Sequence, residues 1–476
     1  MAAISDVEVG ELAPQRFREV LGHGYGEFEQ AIERGRELFD GRVAWHVNST
    51  ARGGGVAELL QSLLAYMRGA GVDARWMAIG GDQEFFAVTK RIHNRLHGAE
   101  GDGGPLGAEQ RAAYEGALEA PGRELAARVS PHDVVFLHDP QTAGMVEAIR
   151  AAGALVVWRC HVGLDEPNAT ARRAWDFLLP YVRDADAFVF SRRAFAWDSL
   201  DHDRIWLVPP SIDVFAPKNS ELTPERVESI LVRAGICAGE PASEPLYARR
   251  DGAEAAVERR AELIGDGPIP VDALLVAQVS RWDRLKDPVG VLHGFASGLG
   301  DREDAHLLLA GPAVEAVADD PEGAEVLAEV RAAREQLEPE IRSRTHLACL
   351  PMDDVQENAA IVNAIQRRAD IVVQKSLAEG FGLTVAEAMW KSAAVIASGI
   401  GGIQDQIVDG ESGILLADPA DLDGYAAALR RLASDPDLRA RLGAAARARV
   451  EAEFLGSRHL MQYLDLLSGP LAERVR

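Results

Sequence analysis

Lysine is nearly missing from this chain: Lys90, Lys218, Lys286, Lys375 and Lys391 are the only five among 50 Lys and Arg residues. Positive charge is short as well, since 74 acidic residues set the formal net charge at -24. Nucleic acid and anionic membrane surfaces both require a basic face, so neither is an expected partner. An anionic small ligand remains open, because a few local cations can override the field of the whole. Cysteine is scarce too. Cys160, Cys237 and Cys349 lie far apart with no CxxC pair, which speaks against a metal or redox site and predicts three reduced, buried thiols. No apolar run reaches the roughly 20 residues of a membrane span, and the opening MAAISDVEVGELAPQRF lacks the basic and apolar regions of a signal peptide. The expected location is therefore the cytoplasm.

What is present fits two ordinary cores. At 476 residues the chain is too long for one, while 47% hydrophobic and 26% charged residues are normal for a globular protein. Short runs rich in Val, Leu and Ile alternate with amphipathic stretches, which predicts an α/β class of parallel strands joined by helical crossovers. RVAWHV (42–47), ARWMAI (74–79), DVVFLH (133–138), ALVVWRC (154–160), AFVFS (187–191) and IWLVP (205–209) read as six strands of one sheet. ALLVAQVS (273–280), HLLLAG (306–311), THLACLP (345–351), DIVVQKS (370–376), AAVIAS (393–398) and GILLA (413–417) read as six strands of a second. The expected organisation is a polar helical extension over 1–40 and a Rossmann-like domain over 41–215. A linker or insertion with two helices follows over 216–265, then a second Rossmann-like domain over 266–455. A C-terminal helix over 456–476 packs back on the first domain.

In open parallel sheets, ligands bind beyond the carboxyl ends of the strands, where loops feed helix N-termini. The first strand ends in HVNSTARGGGVAELL, where Gly53, Gly54 and Gly55 allow close backbone approach to an anion or simply make a tight turn. The spacing matches neither GxGxxG nor GxxxxGK[ST]. The first strand of the second series ends in SRWDRLKDP, whose Arg281 and Lys286 can converge on one pyrophosphate, or lie on a solvated loop. KSLAEGFGLTVAEAMW places Glu379 before a Gly380-Phe381-Gly382 turn and Glu387 inside the helix that follows. The amides of Phe381, Gly382 and Leu383 would face the same ligand. Two carboxylates held so differently can divide the binding of hydroxyls, Glu379 at the sugar end and Glu387 at a ribose. Gly401 and Gly402 precede a later helix and are equally compatible with an ordinary turn. In the first half, LHDPQTAG (His138, Asp139) and WRCHVGLDEPN (Arg159, His161) lie at strand ends, where His161 and Asp139 can meet a neutral polyhydroxylated substrate.

The triglycine loop, SRWDRLKDP, EGFGLTVAE with its Glu-x7-Glu spacing and the late GGI resemble the retaining GT-B glycosyltransferases. Within that class WHVNSTARGGGVAELL, WRCHVGLDEPN and QKSLAEGFGLTVAEAMWK are similar to the trehalose glycosyltransferring synthases of glycosyltransferase family 4, near relatives of the retaining trehalose phosphorylases. The resemblance runs over roughly residues 40 to 460. It implies two Rossmann-like domains facing an interdomain cleft that closes on binding, and a homodimer. A nucleoside diphosphate glucose (ADP-, UDP- or GDP-glucose) would bind the second half, with glucose as acceptor on the first and trehalose as product. It further implies that Arg281 and Lys286 neutralise the leaving diphosphate, that Glu379 holds donor-sugar hydroxyls and that Glu387 holds the ribose. Gly380 to Leu383 would line the pocket, with the loop of Gly53, Gly54 and Gly55 over the phosphates. His161 would touch the donor sugar near the reacting carbon, with Asp139, His138 and Arg159 on the acceptor side. No cofactor or resident metal is implied, Mg²⁺ acting only as a stimulant with the nucleotide. A phosphorylase using glucose 1-phosphate, another sugar-nucleotide transferase with a small acceptor, a glycoside hydrolase and a non-catalytic sugar-nucleotide sensor are the competing readings.

Overall fold

The computed structural model describes residues 4–51, 54–314, 321–469 and 471. Two units emerge from it, Met1–Ser211 with Leu455–Arg476, and Ile212–Phe454.

The first unit is built on a seven-stranded sheet of β1 (Ile4–Val7), β2 (Val43–Asn48), β3 (Asp73–Ile79), β4 (Val134–His138), β5 (Leu155–Cys160), β6 (Ala187–Phe190) and β7 (Ile205–Leu207). Their spatial order is β1-β3-β2-β4-β5-β6-β7. From β3 onward all pairs are parallel, as expected for strands buried on both faces by crossover helices. β1 lies antiparallel against β3 with Ile4 opposite Ile79. The chain reverses its direction of sheet growth between β2 and β4, so the switch point lies at the ends of HVN and FLHD.

Residues 1–40 are therefore not only a helical extension. They supply an edge strand, and the buried Phe17 packs against Phe28 and Tyr66. The strand escapes a periodicity reading because ISDV buries one end only. Helix Tyr25–Leu38 holds the expected EFEQAIERGREL stretch.

The second unit carries β10 (Glu262–Ile264), β11 (Leu274–Val279), β12 (Ala305–Pro312), β13 (Thr345–Leu350), β14 (Ile371–Gln374), β15 (Ala394–Ser398) and β16 (Ile414–Leu416) in the order β10-β13-β12-β11-β14-β15-β16. Again six strands are parallel and one edge strand, β10, is antiparallel. The switch point falls between β11 and β14. The expected pair of helices over 216–265 is corrected to one, Pro224–Arg233, followed by the hairpin β8 (Leu246–Ala248) with β9 (Glu254–Ala256), then β10. Pro245 and the left-handed Gly252 interrupt any helix there. Arg249 bonds Asp354 and Arg259 bonds the buried Glu357, which ties the hairpin to helix Val355–Arg368. The tail is three helices, Leu422–Ser434, Pro436–Glu453 and Gly456–Ser468, of which the last belongs to the first unit. All three cysteines are free and buried. No helix among the described residues is long and apolar enough to cross a membrane.

Candidate active site

In the second unit the switch point gathers the residues the sequence singles out. β11 ends at Val279, and the buried Trp282 fixes its exit loop by donating from Nε1 to the Pro312 carbonyl at 2.9 Å. Asp283 accepts from the Leu285 amide at 2.8 Å and starts the turn Arg284–Lys286. The Gln278 amide donates to the Lys286 carbonyl at 2.7 Å, and the Leu377 amide to the Leu285 carbonyl at 2.7 Å, so the exits of β11 and β14 are stitched together. Lys286 donates to Glu379, and both side chains are largely covered, 17% and 12% exposed. Ser376 also donates to Glu379, at 3.4 Å. Arg281 is 56% exposed and reaches Asp283 at 2.7 Å.

Gly382, at φ +80°, caps helix Leu383–Trp390 in a left-handed conformation natural to glycine. Phe381 is buried against Phe454, and Gln406 donates to the Phe381 and Gly382 carbonyls at 2.5 and 3.3 Å. Gly401 and Gly402 prove to be more than a turn. The Gly402 amide donates to the Gly380 carbonyl at 2.9 Å, and a Cβ on Gly401 would run into the Glu379 carbonyl. Glycine there lets one loop backbone lie directly on the other.

Glu387 is only 2% exposed, with Oε1 3.4 Å from Lys218 Nζ. Beside it, Lys391 donates to the Glu387 carbonyl, Asn219 and Gln366 at 3.0, 3.0 and 2.8 Å, and burial pushes its ammonium down to about 7 against the pull of Glu387.

Sequence reasoning missed one pair here. Lys375, fully buried at the end of β14, donates to Asp287. Asp287 has φ +49° and caps helix Pro288–Leu299 by accepting from the Gly290 amide at 3.0 Å. Two signals were available: a lysine at the end of the apolar run IVVQ, and an Asp-Pro step that starts a helix.

In the first unit, Gly53 lies outside the described residues, while Gly54 and Gly55 open helix Gly54–Gly69 just after β2. The β2 exit is fixed by Asn48, which donates to the Thr50 carbonyl at 2.7 Å and accepts from Trp76 Nε1 at 2.8 Å. Asp139 follows β4 at φ +63°, a sparsely populated conformation for aspartate. Tyr114 braces this turn by donating to the Pro140 carbonyl at 2.5 Å and accepting from the Gly144 amide at 3.1 Å. Asp139 Oδ1 accepts from the His161 amide at 2.8 Å, so the two are brought together. Both remain partly exposed. His138 and Arg159 are fully buried and direct their polar atoms inward, so of the three only Asp139 has any exposed surface. Burial raises the Asp139 carboxyl to about 6, although the His161 amide and the Arg159 charge oppose the rise. Among the described residues, no group of three or more His, Cys, Asp and Glu side chains is disposed to hold a metal ion.

Comparison with known proteins decides what this arrangement belongs to. Residues 46–197 match the family model "Trehalose synthase, N-terminal domain", and residues 259–449 match "Glycosyl transferases group 1". The trehalose synthase of Rubrobacter xylanophilus is 33% identical over 97% of this chain and 98% of its own, and that of Pyrococcus horikoshii 32% over 98% and 99%. The chain belongs to the trehalose synthase family. Its fold is GT-B, with two Rossmann-like units. An E. coli trehalose-6-phosphate protein solved with UDP-2-fluoro glucose bound shares that fold, with a TM-score of 0.66 at 12% identity over 91% of this chain and 99% of that one. As a family member this chain is a glycosyltransferase of trehalose chemistry.

Proposed function

We propose that the enzyme transfers glucose, with retention of configuration, from a nucleoside diphosphate glucose to glucose, releasing nucleoside diphosphate and making α,α-trehalose reversibly. The observation that carries this reading is the ion pair of Lys286 with Glu379, with Arg281 held by Asp283 on the same loop, at the switch point of the second unit beside the start of helix Leu383–Trp390. Breaking the donor bond builds negative charge on a phosphate and positive charge on the sugar. Fixed cations and first-turn amides meet the former, and they lower the barrier because they are already oriented. Glu379 then receives donor-sugar hydroxyls, Glu387 the ribose, the amides of Gly380 to Leu383 the phosphate end, and the glycines of 53–55 close over it. His161 meets the donor sugar and Asp139 the incoming glucose. The leaving phosphate takes the acceptor's proton, so no resident metal or cofactor takes part, and Mg²⁺ acts only with the nucleotide. The enzyme works in the cytoplasm as a homodimer.

A panel of ADP-, UDP- and GDP-glucose against glucose and other acceptors, with the disaccharide identified by NMR, tests this directly. Trehalose and free nucleoside diphosphate in equal amounts are expected. Turnover only with inorganic phosphate, giving glucose 1-phosphate from trehalose, identifies a phosphorylase instead.

The carboxyl of Asp139 gives this reading a pH signature. Charged, it accepts from a glucose hydroxyl; protonated, it holds that hydroxyl poorly. kcat/KM for glucose should therefore fall as pH drops through about 6, and Asp139→Asn should be slow and flat over the same range. The stability effect has the opposite sense. The folded carboxyl holds its proton above the ordinary 3.8, so the folded state loses stability as pH rises from 3.8 to about 6. A wild-type profile flat from about pH 5 to 8 removes Asp139 from the acceptor site.

A further inference from the structure

Behind His161 in the first unit runs a line of buried imidazoles that the proposed reaction leaves unused. His46 Nδ1, from β2, lies 3.1 Å from His138 Nε2, and His138 Nδ1 lies 3.1 Å from His161 Nε2. Both His46 and His138 are fully buried. Successive ring planes are only 26° and 15° apart, with centroids at 5.3 and 5.4 Å, as in rings bonded edge to edge. Each link uses one N–H and one lone pair, so a neutral line has two possible directions.

Two observations select one of them, and a third keeps the line neutral. Arg159 Nε lies 3.1 Å from His161 Nε2 and 3.4 Å from Nδ1, and a guanidinium can only donate. The nearer nitrogen, Nε2, is then the bare one; its single lone pair is shared between Arg159 Nε–H and His138 Nδ1–H, and His46 Nδ1 in turn donates to His138. In the opposite direction His46 Nε2 would carry a hydrogen. That nitrogen is buried and has no hydrogen-bond partner among the described residues, so a stranded N–H there is avoided. Finally, burial and the nearby Arg159 charge hold His138 and His161 far below the usual imidazole range and His46 at about 3, so all three rings are neutral. Arg159 is itself held by Tyr463 and by the Val208 carbonyl at 3.0 Å.

We infer that His46 and His138 are positioning residues, which together with Arg159 lock His161 as the Nδ1–H tautomer. In that form His161 offers a sugar hydroxyl a hydrogen-bond donor, and its only basic nitrogen is occupied, so it does not take the acceptor's proton. The role toward sugar rests on the proposed reaction; the tautomer does not.

Nitrogen-15 labelling of histidine in the full chain, read through two-bond nitrogen–proton correlations, shows which nitrogen of each ring carries hydrogen. His161 is assigned by the signal lost in His161→Gln. The expected wild-type pattern is hydrogen on Nδ1 and a bare Nε2. His138→Leu should mix the two tautomers and lower kcat about tenfold, since a misplaced active-site group loses at least that much. His138→Asn, whose amide nitrogen stands where Nδ1 stood, should restore the tautomer and most of the rate. Hydrogen on Nε2 in the wild type overturns the inference. So does a folded His138→Leu protein with unchanged tautomer and kcat. If that variant does not fold, His46→Phe is read in the same way. The expected tautomer in a protein that transfers no glucose from any nucleoside diphosphate glucose refutes the proposed reaction while leaving the lock in place.

Discussion

Lys286→Ala is expected to lower kcat roughly 100- to 1,000-fold, the loss typical of removing one preorganised group from a developing oxyanion. Lys286 is mostly covered, its turn is pinned through Gln278 and Leu377, and its charge is already aimed at the exit loop of β14. In the proposed reaction, a cation held this way does little reorganising when the diphosphate leaves. Arg281→Ala should cost less, about tenfold, because an exposed guanidinium is screened by water. Lys286→Arg should recover part of the rate, since it returns the charge without the compact ammonium that fits Glu379. The measurement is nucleoside diphosphate release at saturating donor, on variants whose thermal unfolding matches the wild type. A double Arg281→Ala, Lys286→Ala enzyme that transfers sugar at the full rate would remove the second unit's switch point from the mechanism.

Much of this site was legible in the sequence, for a physical reason. Strands buried on both faces are continuous apolar runs, and each of the twelve parallel strands lies within one or two residues of where its run placed it. Once strands are located, their carboxyl ends are located too, so Arg281, Lys286, Glu379, Asp139 and His161 could be named from position. The edge strands β1 and β10 were not legible, because ISDV and ELI are short, half exposed and stabilised by an antiparallel partner far away in sequence. The same limit hid what surrounds the site. His46 carries no signal of its own inside the RVAWHV run, and its link to His138 spans 92 positions. Lys375 and Asp287 are 88 positions apart, and Glu387 meets Lys218 across a still longer stretch of chain. Only folding shows which buried charge answers which.

Asp287→Ala should be the most damaging single change to the second unit's stability. Its carboxylate does two jobs: one oxygen caps helix Pro288–Leu299 at the Gly290 amide, and the other receives Lys375, whose side chain has no exposed surface. Removing one partner of a buried ion pair leaves an uncompensated charge and costs about 3–5 kcal/mol. Losing the cap adds about 1 kcal/mol, and alanine is also strained at φ +49°. Asp287→Asn keeps the cap and tolerates the left-handed backbone, so it isolates the charge and should cost less. Combining it with Lys375→Met removes the stranded ammonium and should return most of the stability, as replacing a buried pair by apolar volume often does. Because two units need not unfold together, the readout is hydrogen exchange in peptides from Pro288–Leu299, compared with peptides from β4 and β5 as an internal reference. Faster exchange in Asp287→Ala, recovered in the double variant, is the expected order. Since Asp287 directly follows Lys286, the alanine variant should also lose sugar transfer, while the Asn and Met double variant regains part of it. Exchange in Asp287→Ala equal to wild type would mean that the Lys375 charge is not held by this pair.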